Sequence, residues 1–121
     1  GSGHSVVMDG APDAGGRNAG FRPMEMLLLG LGGCSAFDVV MILKRGREPV
    51  TDCVVEIDAE RATTDPKIFT RIDMRYLVTG KGLDRKKVER AVHLSAEKYC
   101  SATAVMSKSA QISHHVEIVE V

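Results

Sequence analysis

Aromatic side chains are scarce in this sequence, which has no tryptophan, two tyrosines and three phenylalanines among 121 residues. This shortage argues against stacking on nucleic-acid bases as a binding mode. Net charge of one sign is also absent, because 16 Lys and Arg residues balance 16 Asp and Glu residues. No net field therefore recruits nucleic acid or an acidic membrane surface. We expect neither kind of partner.

Paired cysteines and ligand motifs are missing as well. The three cysteines are an odd number, which does not suggest the disulfide framework of a secreted domain, so a reducing cytoplasm is the expected compartment. The sequence has no CxxC, GxGxxG or P-loop pattern. The adjacent His114 and His115 would point to opposite faces of a strand, and no histidine is paired at a metal-ligand spacing. We therefore expect no metal site.

The longest apolar run covers residues 24–43 and would suffice in length to span a membrane. It contains Glu25, Asp38 and three glycines, however, so a core helix is expected and neither a signal peptide nor a transmembrane segment is visible. Pro23 suits the first turn of this helix. Apolar side chains occupy nearly every face, which predicts a centrally buried helix.

The rest of the chain shows strand and helix patterns in alternation. Strands are expected over residues 5–8, 50–60, 68–78 and 112–121. The second and third of these are expected to form an antiparallel hairpin. Asp84 is a suitable N-cap for a second helix, and another short helix is expected to start at Cys100 or Ser101. The order of elements predicts an α+β fold in a single domain over residues 1–121.

Two adjacent glycines precede Cys34 inside the long helix, and each costs about 1 kcal/mol relative to alanine. In one interpretation, Gly32 and Gly33 clear space so that a substrate approaches the thiol closely. In the other, they admit a neighbouring element and the thiol only fills space. The residues by themselves leave both interpretations open.

The other two cysteines differ in their surroundings. Cys53 is in phase with Val55 and Ile57 on the inward face of a strand, and we interpret it as a small buried hydrophobe. Cys100 follows Lys98 at an expected helix N-terminus, where oriented N–H dipoles and a nearby cation lower the pKa of a thiol. An ordinary cysteine at a helix junction is the alternative interpretation of Cys100.

Two motifs, RPMEMLLLGLGGCSAFDVV and LSAEKYCSATAVM, together resemble the OsmC/Ohr family of thiol-dependent peroxidases. The resemblance covers essentially the whole chain. It implies an intertwined homodimer, with long central helices packed against antiparallel sheets and active sites at the subunit interface. Cys34 matches the peroxidatic cysteine and Cys100 the resolving cysteine. The implied substrates are organic hydroperoxides, the implied reductant is a small-molecule or protein dithiol, and no cofactor is implied.

The chain departs from the family pattern at the two charged groups that accompany the peroxidatic cysteine. Met24 stands where the family has glutamate, and Glu25 would lie on the opposite side of a regular helix, about 13 Å along it from Cys34. The family's arginine has no matched position, so Arg17 and Arg22 are the candidates to replace it. Asp38 shares a helical face with Cys34, opposes its thiolate and is interpreted as the partner of a lysine or arginine.

These departures keep other functions open. The main alternative is a non-catalytic dimer of the same fold that binds a small hydrophobic ligand or a partner. A zinc-binding domain is a third hypothesis, and metal analysis tests it.

Overall fold

Helices and strands follow one another in an α+β order, as predicted. The computed structural model describes residues 1–121, which divide into two units, Gly1–Gly30 and Leu31–Val121. The helices are α1 (Pro23–Arg45), α2 (Arg85–Leu94) and α3 (Ser101–Met106), and the strands are β1 (Val50–Arg61), β2 (Phe69–Gly80) and β3 (Gln111–Glu120). Helix α1 begins in the first unit and continues into the second.

The first unit contains no strand, so the prediction over residues 5–8 is wrong. Only an isolated bridge joins Met8 to Phe21. The glycine-rich loop that follows is organised by Asp9, whose carboxylate accepts hydrogen bonds from the amides of Gly10, Arg17 and Ala19 at 2.8, 2.9 and 3.1 Å. These bonds lower the pKa of Asp9. A side chain, and not a neighbouring strand, therefore satisfies the backbone donors of this segment.

Within the single chain, helix α1 has the predicted central burial along one side and is exposed along the other. In the second unit its buried residues are Leu31, Gly32, Ser35, Asp38, Val39 and Leu43. Phe37, on the other side, is 70% exposed. By length and apolar composition α1 would also suffice to cross a membrane, a test that core helices pass too. The burial of Leu31 and Val39 identifies α1 as a core helix.

The three strands form one sheet in the order β1-β2-β3. Strands β1 and β2 form the predicted antiparallel hairpin, but β3 runs parallel to β2, so the sheet is mixed and not antiparallel as expected. The parallel pairing follows from the connection, because α2 and α3 lie between β2 and β3 in sequence and carry the chain back across the sheet. Strand β2 is central and supplies much of the core, with Ile72, Met74, Tyr76 and Val78 all fully buried.

Helix α2 starts where it was predicted to start, and it contributes further buried residues to this core. The Asp84 carboxylate caps it by accepting the Lys86 amide at 3.0 Å, and Val88, Ala91 and Val92 are its buried residues.

Candidate active site

Cys34 and Cys100 meet although they belong to different helices. One ligand atom each of Cys34, Asp38 and Cys100 lies within 4.8 Å of the other two. Both cysteines are free thiols. Cys34 is half-buried, whereas Asp38 and Cys100 are only 8% and 3% exposed. The cluster therefore consists of two sulfurs and a carboxylate, reachable from solvent at Cys34.

Local backbone geometry brings Cys100 to this position. Helix α2 passes into a single π-helical turn, Ser95–Tyr99, which the Cys100 amide closes by donating to the Ser95 carbonyl at 2.8 Å. Such turns are frequent at functional sites. Cys100 then acts as the N-cap of α3, and its sulfur accepts the Thr103 amide at 3.4 Å. Helix α3 thus starts as predicted.

A chain of buried hydroxyl groups runs from the cluster into the core. The Ser95 hydroxyl donates to Asp38 Oδ2 at 3.1 Å and lies 2.9 Å from the Ser35 hydroxyl. The Ser35 oxygen lies 2.6 Å from the Tyr76 hydroxyl oxygen, and that group lies 3.1 Å from His114 Nδ1. Residues from α1, β2, β3 and the π turn are therefore linked in one network.

The donor and acceptor in each bond of this hydroxyl network follow from the number of hydrogens available. Each hydroxyl has a single proton, and the Ser95 proton points at Asp38. All three remaining bonds are satisfied together when Ser35 donates to Ser95, Tyr76 donates to Ser35 in preference to the more distant Met74 sulfur, and His114 is the tautomer with a proton on Nδ1. When Asp38 is ionised, every hydrogen in the network thus points towards its carboxylate.

Burial dominates the ionisation of the groups around the cluster. Burial raises the pKa of Cys100, and the neighbouring Cys34 sulfur raises it further. The prediction that a helix N-terminus lowers this pKa is wrong, because desolvation outweighs the amide and side chain of Thr103, which act in the lowering direction. Lys98, the expected cation, lies over the Tyr99 ring at 5.2 Å instead.

The tyrosine and histidine of the network are also shifted by burial. Burial raises the pKa of Tyr76 to about 12 against the lowering effect of the Ser35 hydroxyl. Burial lowers the pKa of His114, while Glu97 acts to raise it. Both groups are therefore neutral at pH 7.

Asp38 has a hydroxyl partner and no cation. Its carboxylate accepts the Ser95 hydroxyl and takes no part in the ion pairs of the chain. The interpretation of Asp38 as a partner for lysine or arginine is therefore wrong. The charged side chain beside the two thiols is an acid, where the family resemblance implies an arginine.

The glycines before Cys34 have separate surroundings. A Cβ atom added to Gly32 would lie 3.1 Å from Ile57 Cδ1, so Gly32 allows α1 to pack closely on β1. A Cβ atom added to Gly33 would meet nothing within 4 Å. Close packing on β1 therefore accounts for Gly32, whereas Gly33 borders an open groove that is also lined by Phe37 and Cys53.

Cys53 lies apart from the cluster, on the alternating face of β1. It is half-buried, not fully buried as predicted, and shares this face with the half-buried Val55 and Ile57. Burial, assisted by the charge of Asp52, raises its pKa to about 11.

The remaining predicted site residues belong to the first unit. The Glu25 carboxylate accepts the Arg22 amide at 2.8 Å at the start of α1, which is the glutamate half of a capping box. The Arg17 amide donates to Asp9. Glu25 therefore has a structural role in capping the helix.

Four residues of the site were not predicted: Ser35, Tyr76, Ser95 and His114. Ser35 and Ser95 offered only one signal in the sequence, since each is a hydroxyl residue placed on an otherwise apolar helix face. Polar residues at such positions need partners when buried, but the sequence does not say which.

Comparison with known proteins agrees with this architecture. A family model described as OsmC-like protein matches residues 15–115. The chain belongs to the OsmC-like family. The resemblance noted from the two cysteine motifs is thereby confirmed, and so is the α+β fold.

Relatives of this OsmC-like protein include one curated protein whose name states no activity, Protein YhfA of Escherichia coli strain K12. The two are 47% identical over 121 residues, which cover 98% of this chain and 85% of YhfA. A solved structure of a hypothetical protein from Aquifex aeolicus VF5 is 36% identical, with a TM-score of 0.81 over 86% of this chain and 78% of that one.

The organic hydroperoxide resistance protein OhrB of Bacillus subtilis shares the fold at greater distance. It is 19% identical, with a TM-score of 0.62 over 93% of this chain and 80% of its own. The likeness at this identity is one of fold alone.

Proposed function

We propose that this protein is a thiol-dependent organic hydroperoxide reductase of the OsmC/Ohr type that acts in the cytoplasm in the response to oxidative stress. Cys34 is its peroxidatic cysteine and Cys100 its resolving cysteine. The observation that carries the proposal is the approach of the two free sulfurs to within 4.8 Å in an OsmC-like chain.

Peroxide reduction proceeds in two steps, formation of a sulfenic acid and formation of a disulfide. The Cys34 thiolate attacks the O–O bond of the hydroperoxide, takes one oxygen as a sulfenic acid and releases an alkoxide that is protonated to the alcohol. The Cys100 thiol then condenses with this sulfenic acid, which forms the disulfide and releases water. A dithiol reductant restores both thiols by exchange. No metal or flavin takes part in these steps.

The asymmetry between the two thiols supports this assignment of roles. Cys34 is half-buried and open to a substrate, whereas Cys100 is buried and its raised pKa keeps it protonated while Cys34 reacts. The attacking thiol must be the accessible one. Cys100 needs to reach only the sulfenic acid that forms beside it.

Asp38 replaces the arginine as the charged group of this reaction. Its carboxylate accepts the proton of Cys34 and returns it to the departing alkoxide, so the cluster never holds two adjacent negative charges. Proton transfer by a positioned group contributes about 10²- to 10⁴-fold to a rate. Asp38→Asn should therefore lower the rate of peroxide reduction at pH 7 by about 100-fold or more.

Three residues of the first unit, Arg17, Arg22 and Glu25, have smaller roles in the proposed reaction. Arg17 and Arg22 are candidates to stabilise the thiolate, and Glu25 to assist from a second subunit. Glu25→Gln keeps the capping bond to the Arg22 amide while removing the charge, so a loss of activity in this variant would indicate a role in catalysis.

We further propose that the protein is a homodimer that pairs through the outer side of α1. Phe37 is 70% exposed there, beside a groove of about 640 Å³ whose apolar lining includes Phe37, Val40 and Met41. An exposed apolar surface of this kind is typical of an interface.

The test is oxidation of the fully reduced protein by cumene hydroperoxide, followed by mass spectrometry of its peptides. We expect a Cys34–Cys100 disulfide and consumption of peroxide that Cys34→Ser abolishes and Cys53→Ser preserves. If Cys34 remains a thiol, or if consumption persists in Cys34→Ser, the proposal is wrong.

The second candidate is a non-catalytic dimer that binds a small hydrophobic ligand. The apolar groove beside α1 and the acidic group in place of a cation favour it. A co-purified apolar ligand in native mass spectra, with both thiols inert to peroxide, would select this function.

A further inference from the structure

Independently of peroxide chemistry, we propose that the reduced protein binds one Zn²⁺ ion per chain through Cys34 Sγ, Cys100 Sγ and the carboxylate of Asp38. The absence of metal-ligand spacing in the sequence argued against any metal site. The ligands proposed here come together only through the fold.

The three donor atoms are already near the arrangement that zinc requires. They lie within 4.8 Å of one another. In a tetrahedral site, Zn–S bonds of about 2.3 Å and a Zn–O bond of about 2.1 Å separate the two sulfurs by about 3.8 Å and each sulfur from the oxygen by about 3.6 Å. Closing the cluster around the ion would shorten each donor–donor distance by about 1.2 Å at most.

The charge of the cluster matches a cation. The Asp38 carboxylate is 8% exposed, forms no ion pair and accepts one side-chain hydrogen bond, from Ser95 to Oδ2. A buried carboxylate without a cation is costly, and two adjacent thiols add up to two negative charges when they lose their protons to a metal. A divalent ion offsets two of the three negative charges that the carboxylate and two thiolates would carry.

The ligand types select the metal. Two sulfur donors favour Zn²⁺ over Mg²⁺ or Ca²⁺, which prefer oxygen ligands. Cys34 and Asp38 are held one turn apart on the same helix, and Ser95 orients the carboxylate as an outer partner. Because Cys34 is half-buried, the fourth position faces solvent and would hold a water molecule.

The experiment titrates the reduced, chelator-treated full chain with Zn²⁺ against a chromogenic chelator, with native mass spectrometry for stoichiometry. One ion per chain is expected. Cys34→Ser and Cys100→Ser should abolish binding, and Asp38→Asn should weaken it by at least about 10-fold. Cys53→Ser is the matched control and should bind as the unaltered protein does.

Replacement of the metal by Co²⁺ and protection of thiols supply readouts that do not depend on folding of the variants. In the unaltered protein, bound Co²⁺ should show thiolate charge-transfer absorption and tetrahedral d–d bands. Saturating Zn²⁺ should slow alkylation of Cys34 and Cys100 but leave Cys53 unaffected, as measured by peptide mass spectrometry.

Three results would overturn the zinc site: no stoichiometric binding, binding that survives Cys34→Ser, or an affinity unchanged in Asp38→Asn. Peroxide consumption is measured separately on the metal-free protein. Loss of zinc binding with intact peroxide consumption would refute this site alone, and zinc binding without peroxide consumption would refute the proposed enzyme alone.

Discussion

In the second unit, the two sides of helix α1 are both largely apolar in sequence but have different surroundings. The inner side carries Ser35 and Asp38, which are buried and hydrogen-bonded to the hydroxyls of Tyr76 and Ser95. The outer side carries the exposed Phe37 and borders a groove that reaches Cys53. Cys34 lies between them and is half-buried.

This difference shows that neighbours, and not residue type, decide what a polar or apolar side chain does here. A buried hydroxyl or carboxylate is stable on the inner side because each has a partner. An apolar side chain on the outer side remains uncovered within a single chain.

The outer side should lose its capacity for association when it carries a charge. Phe37→Asp should weaken the dimer by about 100-fold or more, because a carboxylate would be buried without a partner in the interface. Analytical ultracentrifugation over a range of protein concentrations measures this. Val105→Asp, at a residue of α3 that is 69% exposed, is the matched control, and equal association of the two variants would contradict the assignment of the interface.

The thiol of the outer groove should react slowly. With its pKa raised from 9.0 to about 11, Cys53 has a thiolate fraction about 100-fold below that of an ordinary thiol at pH 8. Its alkylation should therefore be about 100-fold slower in the folded protein than in urea, and the rate should keep rising up to about pH 11. Peptide mass spectrometry at a series of pH values follows each cysteine. Equal rates at pH 8 in the folded and unfolded chains would refute this.

The hydroxyl network of the inner side should contribute to stability. Tyr76→Phe removes the group between Ser35 and His114, leaves buried partners unsatisfied and should lower the free energy of unfolding by about 1–3 kcal/mol. Urea denaturation measures the loss. Tyr99→Phe, at a residue that is 49% exposed, should change stability by less than about 0.5 kcal/mol. A similar result for the two variants would mean that the network adds no stability.

Alanine substitutions at the adjacent glycines test the packing on the two sides of the helix. Gly33→Ala meets open space and should stabilise the chain by up to about 1 kcal/mol through helix propensity. Gly32→Ala should gain less, because its Cβ would lie 3.1 Å from Ile57 Cδ1. Both are measured by denaturation in the Phe37→Asp background, where association does not contribute. A larger gain at Gly32 would contradict the packing described here.

Several elements of the fold could be predicted because their signals are local. Pro23 marked the start of α1, Asp84 marked the start of α2, and alternation marked the β1–β2 hairpin. The strand expected over residues 5–8 failed because a strand also needs a neighbour to pair with. The burial of α1 is smaller than expected within one chain, because apolar composition does not show whether the chain itself or a partner covers each side of a helix.

The candidate site was predictable only in part. The resemblance assigned Cys34 and Cys100 their roles, but the residues alone gave no reason for the two thiols to meet. The pKa of Cys100 was expected to be lowered and is raised, because desolvation depends on the surrounding elements and not on the helix terminus that the sequence shows.

The α+β order of elements, the antiparallel hairpin and the family could be predicted from the sequence, since these depend on periodicity, capping residues and motifs along the chain. Tertiary structure alone decided that Asp38 faces two thiols and takes its hydrogen bond from Ser95, with Ser35, Tyr76 and His114 behind it. These groups come from α1, β2, the π turn and β3, and no local pattern encodes a contact between side chains so distant in the chain.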